Sequence, residues 1–268
     1  MMKIHPFFYL LIISALFFVG CTMSSNTEGA ATFEGRSTPE RFKTNLVSEI
    51  FNDPQARALA KAACKSDTKK MIALLKNHIA VDAIGVDNIT PLHWALKCKN
   101  LAGMRFLLEN KANPNQRLND DYGYTPVIIA AGYDDPSFLK LLLEFGGNPN
   151  AESGEGHDTA LSFAISLGAR SENWDKYYLL LDAGADVNHD HFSFSVARFM
   201  VGVYGRYSKG LELLDRGYNK DLPALLHLAY TRSVPEESKE HAYREEFTAR
   251  LKQLVTDEEY QAFLDSRK

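Results

Sequence analysis

Apolar and polar positions between Thr90 and Asn188 fall into one pattern that recurs three times. Thr90-Pro91-Leu92-His93-Trp94-Ala95 leads to Leu107-Leu108-Glu109-Asn110-Lys111-Ala112-Asn113-Pro114-Asn115. Thr125-Pro126-Val127-Ile128-Ile129-Ala130-Ala131 leads to Leu141-Leu142-Leu143 and Gly146-Gly147-Asn148-Pro149-Asn150. Thr159-Ala160-Leu161-Ser162-Phe163-Ala164 leads to Leu179-Leu180-Leu181 and Gly184-Ala185-Asp186-Val187-Asn188. Each copy predicts two short helices. The Thr suits an N-cap, where its hydroxyl accepts from an orphan N–H of the first turn. Pro at the first helical position loses nothing, because its missing N–H had no partner there. Ala95, Ala130 and Ala164 let the paired helices approach, and the Leu pairs fill the layer between neighbours. Gly146 and Gly184 are expected in a left-handed turn that ends the second helix.

Fainter copies flank these three. Phe42, Leu46, Val47 and Ile50 form an apolar stripe that predicts a short capping helix. Asp53-Pro54 opens a first repeat, with Leu59, Ala62 and Ala63 on one helix and Met71, Ile72, Leu74 and Leu75 on the next. The last Leu of each second helix falls at 75, 108, 143, 181 and 214, giving spacings of 33, 35, 38 and 33. The long fourth repeat places its extra residues around Gly168–Asn173, between its helices. In the fifth, Phe192-Ser193-Phe194-Ser195-Val196-Ala197 replaces the Thr-Pro word and Leu213-Leu214-Asp215-Arg216-Gly217 closes it. Pro223 to Ala229 reads as one more first helix. Ser233 with Glu236 and Thr256 with Glu259 have capping-box spacing, and Phe247, Leu251 and Leu254 stripe the helix between them.

A period near 33 residues carrying these words resembles the ankyrin repeat. The resemblance implies an all-α solenoid of helix pairs with short β-hairpin turns, about five repeats over residues 42–230, and a helical cap over 231–268. One repeat cannot bury its apolar face alone, so such an array is stable only as a stack. It also implies binding of other proteins without chemistry or cofactor. The formal net charge of −4 argues against nucleic acid, which calls for a basic face. The chain shows no nucleophile elbow, no phosphate-binding glycine loop and no zinc-spaced Cys/His set. His189-Asp190-His191 lacks a third ligand nearby in sequence and reads as a solvated loop. His93 belongs to the repeat's own hydrogen-bonding word, and Trp94 and Trp174 sit at apolar helical positions.

Residues 1–20 are expected to lie outside the fold. Lys3 gives a positive start, and Phe7 to Val19 is an apolar run of about a dozen residues, short for a bilayer span. Its end, Phe18-Val19-Gly20-Cys21, resembles a bacterial lipoprotein signal, which implies cleavage before Cys21 and lipidation of that cysteine. An ordinary cleaved signal or an uncleaved anchor stays open. Thr22 after the cysteine would suit transfer to the outer membrane. Residues 21–41 are polar and read as a tether spanning on the order of 25 Å. An oxidising compartment raises the pairing of Cys64 with Cys98. Bridging needs Cβ atoms about 3.5–4.5 Å apart, whereas packed helices lie roughly 10 Å apart, and the two cysteines differ by one position in the repeat. A bridge stays open, with spacing against it.

In ankyrin arrays the hairpin tips and exposed first-helix faces bind partners. The pattern maps this surface to Val86, Asp87 and Ile89, then Asp121, Tyr122, Tyr124 and Tyr133. It continues through Glu155, Gly156, Asp158 and Leu167 to His191 and Phe199. The tyrosines are expected to leave the stack as anchors, while Asp87, Asp121, Asp134, Asp135, Glu155 and Asp158 would favour a basic partner. The words Asp53-Pro54-Gln55-Ala56-Arg57-Ala58-Leu59-Ala60, Trp94-Ala95-Leu96 and Tyr122-Gly123-Tyr124-Thr125-Pro126 are similar to bacterial ankyrin lipoproteins that include immunity proteins against type VI secretion phospholipase effectors. That resemblance implies a lipid-anchored protein, facing the periplasm from the outer membrane, that clasps and occludes a phospholipase. A periplasmic scaffold is the alternative within the binding class. An envelope lipid enzyme is disfavoured by the missing catalytic set.

Overall fold

The computed structural model describes residues 46–154, 158–191 and 194–267. Helices stack in pairs, as the repeated words require: α1 (Val47–Ile50), α2 (Pro54–Cys64) and α3 (Thr68–Lys76), then α4 (Pro91–Lys97) and α5 (Leu101–Glu109). They continue as α6 (Pro126–Ala131), α7 (Ser137–Glu144), α8 (Ala160–Ser171) and α9 (Asp175–Asp182). A two-stranded hairpin of β1 (Asp190–His191) and β2 (Phe194–Ser195) precedes a π-helical segment, Arg198–Val203, and α10 (Tyr207–Asp215). The end is α11 (Leu222–Thr231), α12 (Lys239–Leu254) and α13 (Asp257–Asp265).

The caps form where the residues predict them. The Asp53 carboxylate accepts from the Gln55 and Ala56 N–H groups, and the hydroxyls of Thr90, Thr125 and Thr159 accept from the N–H groups of His93, Ile128 and Ser162. His93 is fully buried, its Nδ1 2.9 Å from the Thr90 hydroxyl. Burial pushes its pKa down to about 3, so it packs as a neutral ring. Leu92, Val127 and Leu161 are buried on the first helices, and Leu107, Leu142 and Leu180 on the second.

The second helices end in a left-handed residue at equivalent places: His78, Lys111, Gly146, Gly184 and Gly217, with φ of 62°, 71°, 84°, 88° and 87°. At three of the stems an asparagine amide joins the hairpin to the next repeat. Asn115 Nδ2 donates to Gly146 O at 3.0 Å while its Oδ1 accepts from Asn148 N–H at 2.7 Å. Asn150 does the same to Gly184 O and Asp186 N–H, and Asn188 to Gly217 O and Asn219 N–H. The equivalent residue in the first repeat is Asp82, whose two oxygens accept from Asn113 N–H at 3.0 Å.

Several expectations are corrected. The extra residues of the fourth repeat do not form a loop. They lengthen α8 to 12 residues, and Trp174 packs on Gly168, where a Cβ would lie 2.7 Å from the ring. Leu46 and Ile72 face solvent, because Val47, Ile50 and Phe51 supply the capping contacts and Met71 alone turns fully inward on α3. Ser233 and Glu236 do not start a helix. Pro235 lies between them, and the chain turns until Ser238 caps α12 by accepting from Glu240 N–H. Thr256 and Glu259 do form their capping box, while Leu254, in the last turn of α12, is 51% exposed beside the buried Phe247 and Leu251. Cys64 and Cys98 are bridged, with Cα atoms 5.5 Å apart. A separation of roughly 10 Å holds for two cysteines that both lie within packed helices. Cys98 instead is the C-cap of α4, and Gly103 of α5 approaches so closely that a Cβ there would lie 2.0 Å from Ala63 O.

One buried charge was not foreseen. Lys176 on α9 is 5% exposed, and its ammonium donates to Tyr133 O. Burial pulls its pKa down to about 8, with the nearby Asp134 charge opposing the fall.

Three outcomes are expected. Asn150→Ala removes two bonds between repeats and should lower the unfolding free energy by about 1–3 kcal/mol, read from urea midpoints. Lys111→Gly relieves a side chain held at φ 71° and should raise stability by up to about 1 kcal/mol in the same assay. The folded state releases the Lys176 proton above about pH 8, whereas an unfolded lysine keeps it to about 10.5. The unfolded state therefore binds more protons in that window, and this group's contribution makes stability rise with pH through it. Lys176→Met should stabilise at pH 7, by on the order of 1–3 kcal/mol once the lost bond to Tyr133 O is allowed for, and should flatten that rise.

Candidate protein-binding surface

The hairpins stand side by side at the amino ends of the first helices, and their backbones are tied together. In the third hairpin, Leu118 N–H donates to Tyr124 O at 3.1 Å, and Asp120 Oδ1 accepts from Gly123 N–H at 2.7 Å. Gly123 has φ +58°, a left-handed conformation that glycine adopts at no steric cost, and the Arg117 side chain packs against it. Asn119 N–H reaches back to Asp87 O, and Gly154 N–H likewise reaches back to Tyr122 O. Three successive tips are thus joined through main-chain bonds. A cleft of about 510 Å³ lies beside them, lined by Asn115, Arg117, Thr125, Asn148, Asn150 and Glu152 among others.

Tyr122 is 46% exposed at this tip and stacks on Tyr124, ring centroids 5.4 Å apart and planes 27° from parallel. Tyr124 is not the exposed anchor expected of it: it is 1% exposed, meets Phe163 edge-on at 5.8 Å, and its hydroxyl donates to Asp158 Oδ2 at 3.2 Å. Burial, reinforced by the Asp158 charge, pushes its phenol pKa well above the usual range. Ile89 is also buried. Ile89 and Tyr124 each immediately precede the capping Thr, the position from which an apolar side chain folds back onto its own helix. Tyr133 is buried as well, its ring edge-on to Phe138 at 5.8 Å and its hydroxyl donating to Leu96 O at 3.4 Å. These three side chains belong to the packed array, not to its open surface.

Among the other candidates, Asp121 is exposed, and Asp87 and Asp158 are half-buried at the tips. Asp134 and Asp135 are exposed but lie in the turn between α6 and α7, at the far ends of the helices from the hairpins. There Asp135 accepts from Ser137 N–H, a bond that holds its carboxyl below the usual range. Val86, Leu167 and Phe199 are half-buried, the last edge-on to Tyr204. His191 pairs through its backbone with Phe194. Its side chain, with Glu155, Gly156 and Cys21, lies outside the described residues. His189 Nε2 pairs with Glu152 Oε1, and no group of three His, Cys, Asp or Glu among the described residues is placed to hold a metal.

Sequence reasoning also missed a cation box. Lys209 Nζ lies 4.7 Å from the Tyr178 ring and 5.3 Å from Trp174, donating to the Tyr178 hydroxyl and to Glu212 Oε2. Its signal was available in Trp174-Asp175-Lys176-Tyr177-Tyr178, three aromatics opening one helix.

Comparison with known proteins agrees with this geometry. Family models for ankyrin repeats match residues 37–118 (three copies) and residues 108–164 (many copies). SH3 and multiple ankyrin repeat domains protein 2 of Homo sapiens is 31% identical over 179 residues, 64% of this chain and 9% of that protein. The 26S proteasome non-ATPase regulatory subunit 10 of Dictyostelium discoideum is 38% identical over 77 residues, 28% of this chain and 32% of that protein. An ankyrin repeat protein of Acanthamoeba polyphaga mimivirus is 35% identical over 98 residues, 37% of this chain and 12% of that protein. The chain thus spans less than a third of the length of these relatives, and the likeness lies in the repeats. With the recurring words, the capped helix pairs and the amides that join them all in place, the chain is an ankyrin-repeat protein.

Proposed function

We propose that this ankyrin array is a non-catalytic, lipid-anchored protein that binds and occludes a phospholipase effector outside the cytoplasm, as an immunity protein. The ankyrin repeats carry the protein-binding part of this reading. The bridge between Cys64 and Cys98 supports an oxidising compartment, because disulfides persist where the surroundings oxidise thiols. The apolar run Phe7–Val19 ending at Gly20-Cys21 supports export and lipidation. The similarity to bacterial ankyrin lipoproteins supports the effector. The mechanism is stoichiometric: the hairpin edge and first-helix faces cover the lipase active site, and a short tether keeps the array near the lipid that the effector attacks. Specificity then lies in surface complementarity, with no reaction on this chain.

The test has two readouts. Titrated into a phospholipase encoded beside it, the purified protein should reduce hydrolysis linearly to an end point near one equivalent. In cells, Cys21→Ser should abolish incorporation of labelled fatty acid and release the protein from the outer-membrane fraction. A lipase left fully active at excess, or lipid hydrolysis by the protein alone, overturns the immunity role. Unchanged labelling of the Cys21→Ser variant overturns the anchor.

A further inference from the structure

Tyr122 differs from the other candidate aromatics in facing solvent while being held in place. Tyr124 covers one face of its ring. Tyr124 in turn is fixed by Phe163 and by its bond to Asp158. The backbone around the ring is fixed as well, by Asp120 to Gly123, Leu118 to Tyr124 and Gly154 to Tyr122. A flat aromatic face is therefore presented to solvent at little entropic cost, the condition under which a tyrosine contributes most to binding.

The charge around this face has one sign in excess. Asp121 is the preceding residue and exposed, Asp120 closes the turn, and Asp158 accepts from the hydroxyl of Tyr124 beneath. Arg117 packs against Gly123 from the other strand of the hairpin. Among the described residues at this tip, three carboxylates thus stand against one guanidinium. An aromatic face with a negative rim attracts cations, and a planar guanidinium can stack on the ring and donate N–H groups to a carboxylate at its edge. An ammonium is more strongly hydrated and offers no plane to stack.

We propose that Tyr122 and Asp121 form the acceptor for an arginine side chain of the protein partner, the guanidinium stacked on the open face of Tyr122 and donating to Asp121. This rests on the protein-binding reading above but not on the partner being a phospholipase.

The experiment measures binding of a fluorescent acetyl-Gly-Arg-Gly-Arg-Gly amide to the intact protein, beside counterparts carrying lysine or citrulline. The arginine peptide should bind more tightly than the lysine peptide. The neutral citrulline peptide, which keeps the shape without the charge, should lose about tenfold or more. Tyr122→Phe should retain binding, Tyr122→Ala should lose about three- to tenfold, and Asp121→Asn should weaken it and flatten its dependence on salt. Tyr122→Leu keeps an apolar body over Tyr124 without a π face, so lost binding at an unchanged melting temperature separates cation recognition from packing. Equal affinity for arginine and citrulline, or full affinity in Tyr122→Leu, overturns the proposal. Peptide binding intact beside a failed lipase titration leaves the arginine acceptor standing and removes only the effector.

Discussion

The array depends on a side-chain amide that bonds in two directions at once. Asn115, Asn150 and Asn188 each donate to the carbonyl of a left-handed glycine in the next repeat and accept from an N–H two residues further on. A primary amide carries its donor and its acceptor on separate atoms of one planar group at the end of a short side chain. The carbonyl it satisfies ends a helix and the N–H opens the following hairpin, groups that otherwise have no backbone partner. Each repeat is thereby locked to its neighbour at the edge where the hairpins begin, while the leucine layer locks it at the centre. In a stack where each unit touches only its neighbours, these junction terms decide whether it stands.

The junction between the first two repeats is built differently. Asp82 takes the amide's place and only accepts, and Lys111 takes the glycine's place at φ 71°. Half of the reciprocal pair is missing and the turn is strained. Burial also raises the Asp82 pKa despite the N–H it accepts, a sign of imperfect compensation. This is the junction that Cys64 and Cys98 cross-link, across a loop of 34 residues, and where Gly103 lets α5 press on Ala63. Closing a loop of that size restricts the unfolded chain by about 2–4 kcal/mol, the same order as the amide bonds it stands in for.

Much of this could be read in the residues. Thr-Pro marks helix starts, Gly146 and Gly184 mark ends, and the Leu positions give the repeat lengths. The errors share a physical cause: they fall where one residue decides between inside and outside. Tyr124 reads as a loop aromatic by its neighbour Gly123, but as a core residue by its place just before the capping Thr, which Ile89 shares. The second criterion was the correct one. Asp158 holds that place in the fourth repeat, and the Tyr124 hydroxyl fills the space by bonding to it. The cysteine pair is hard to read from a fixed helix spacing, because Cys98 is the C-cap of α4 and Gly103 lets the neighbouring helix press on Ala63, next to Cys64. Nothing in the local pattern revealed Lys176, since a lysine on the first turn of a second helix is ordinarily solvated.

The two departures from regularity leave the ladder untouched. α8 runs long and the fifth repeat replaces its first helix with a π-helical segment, yet Asn150 and Asn188 make the same bonds as Asn115. Lys209, seated among Trp174, Tyr177 and Tyr178, ties the second helices together across this irregular join. The hairpin edge can therefore stay in register while the first helices vary in length. That separation matters for a binding array. Affinity depends on how little must be ordered when the partner arrives, and a tip such as Tyr122 is ordered beforehand only if its neighbours cannot slide. Main-chain bonds from Asn119 to Asp87 and from Gly154 to Tyr122 fix the tips to one another. The amides fix the stems below them, so the surface is set by the stack and its specificity by the few side chains that the stack does not consume.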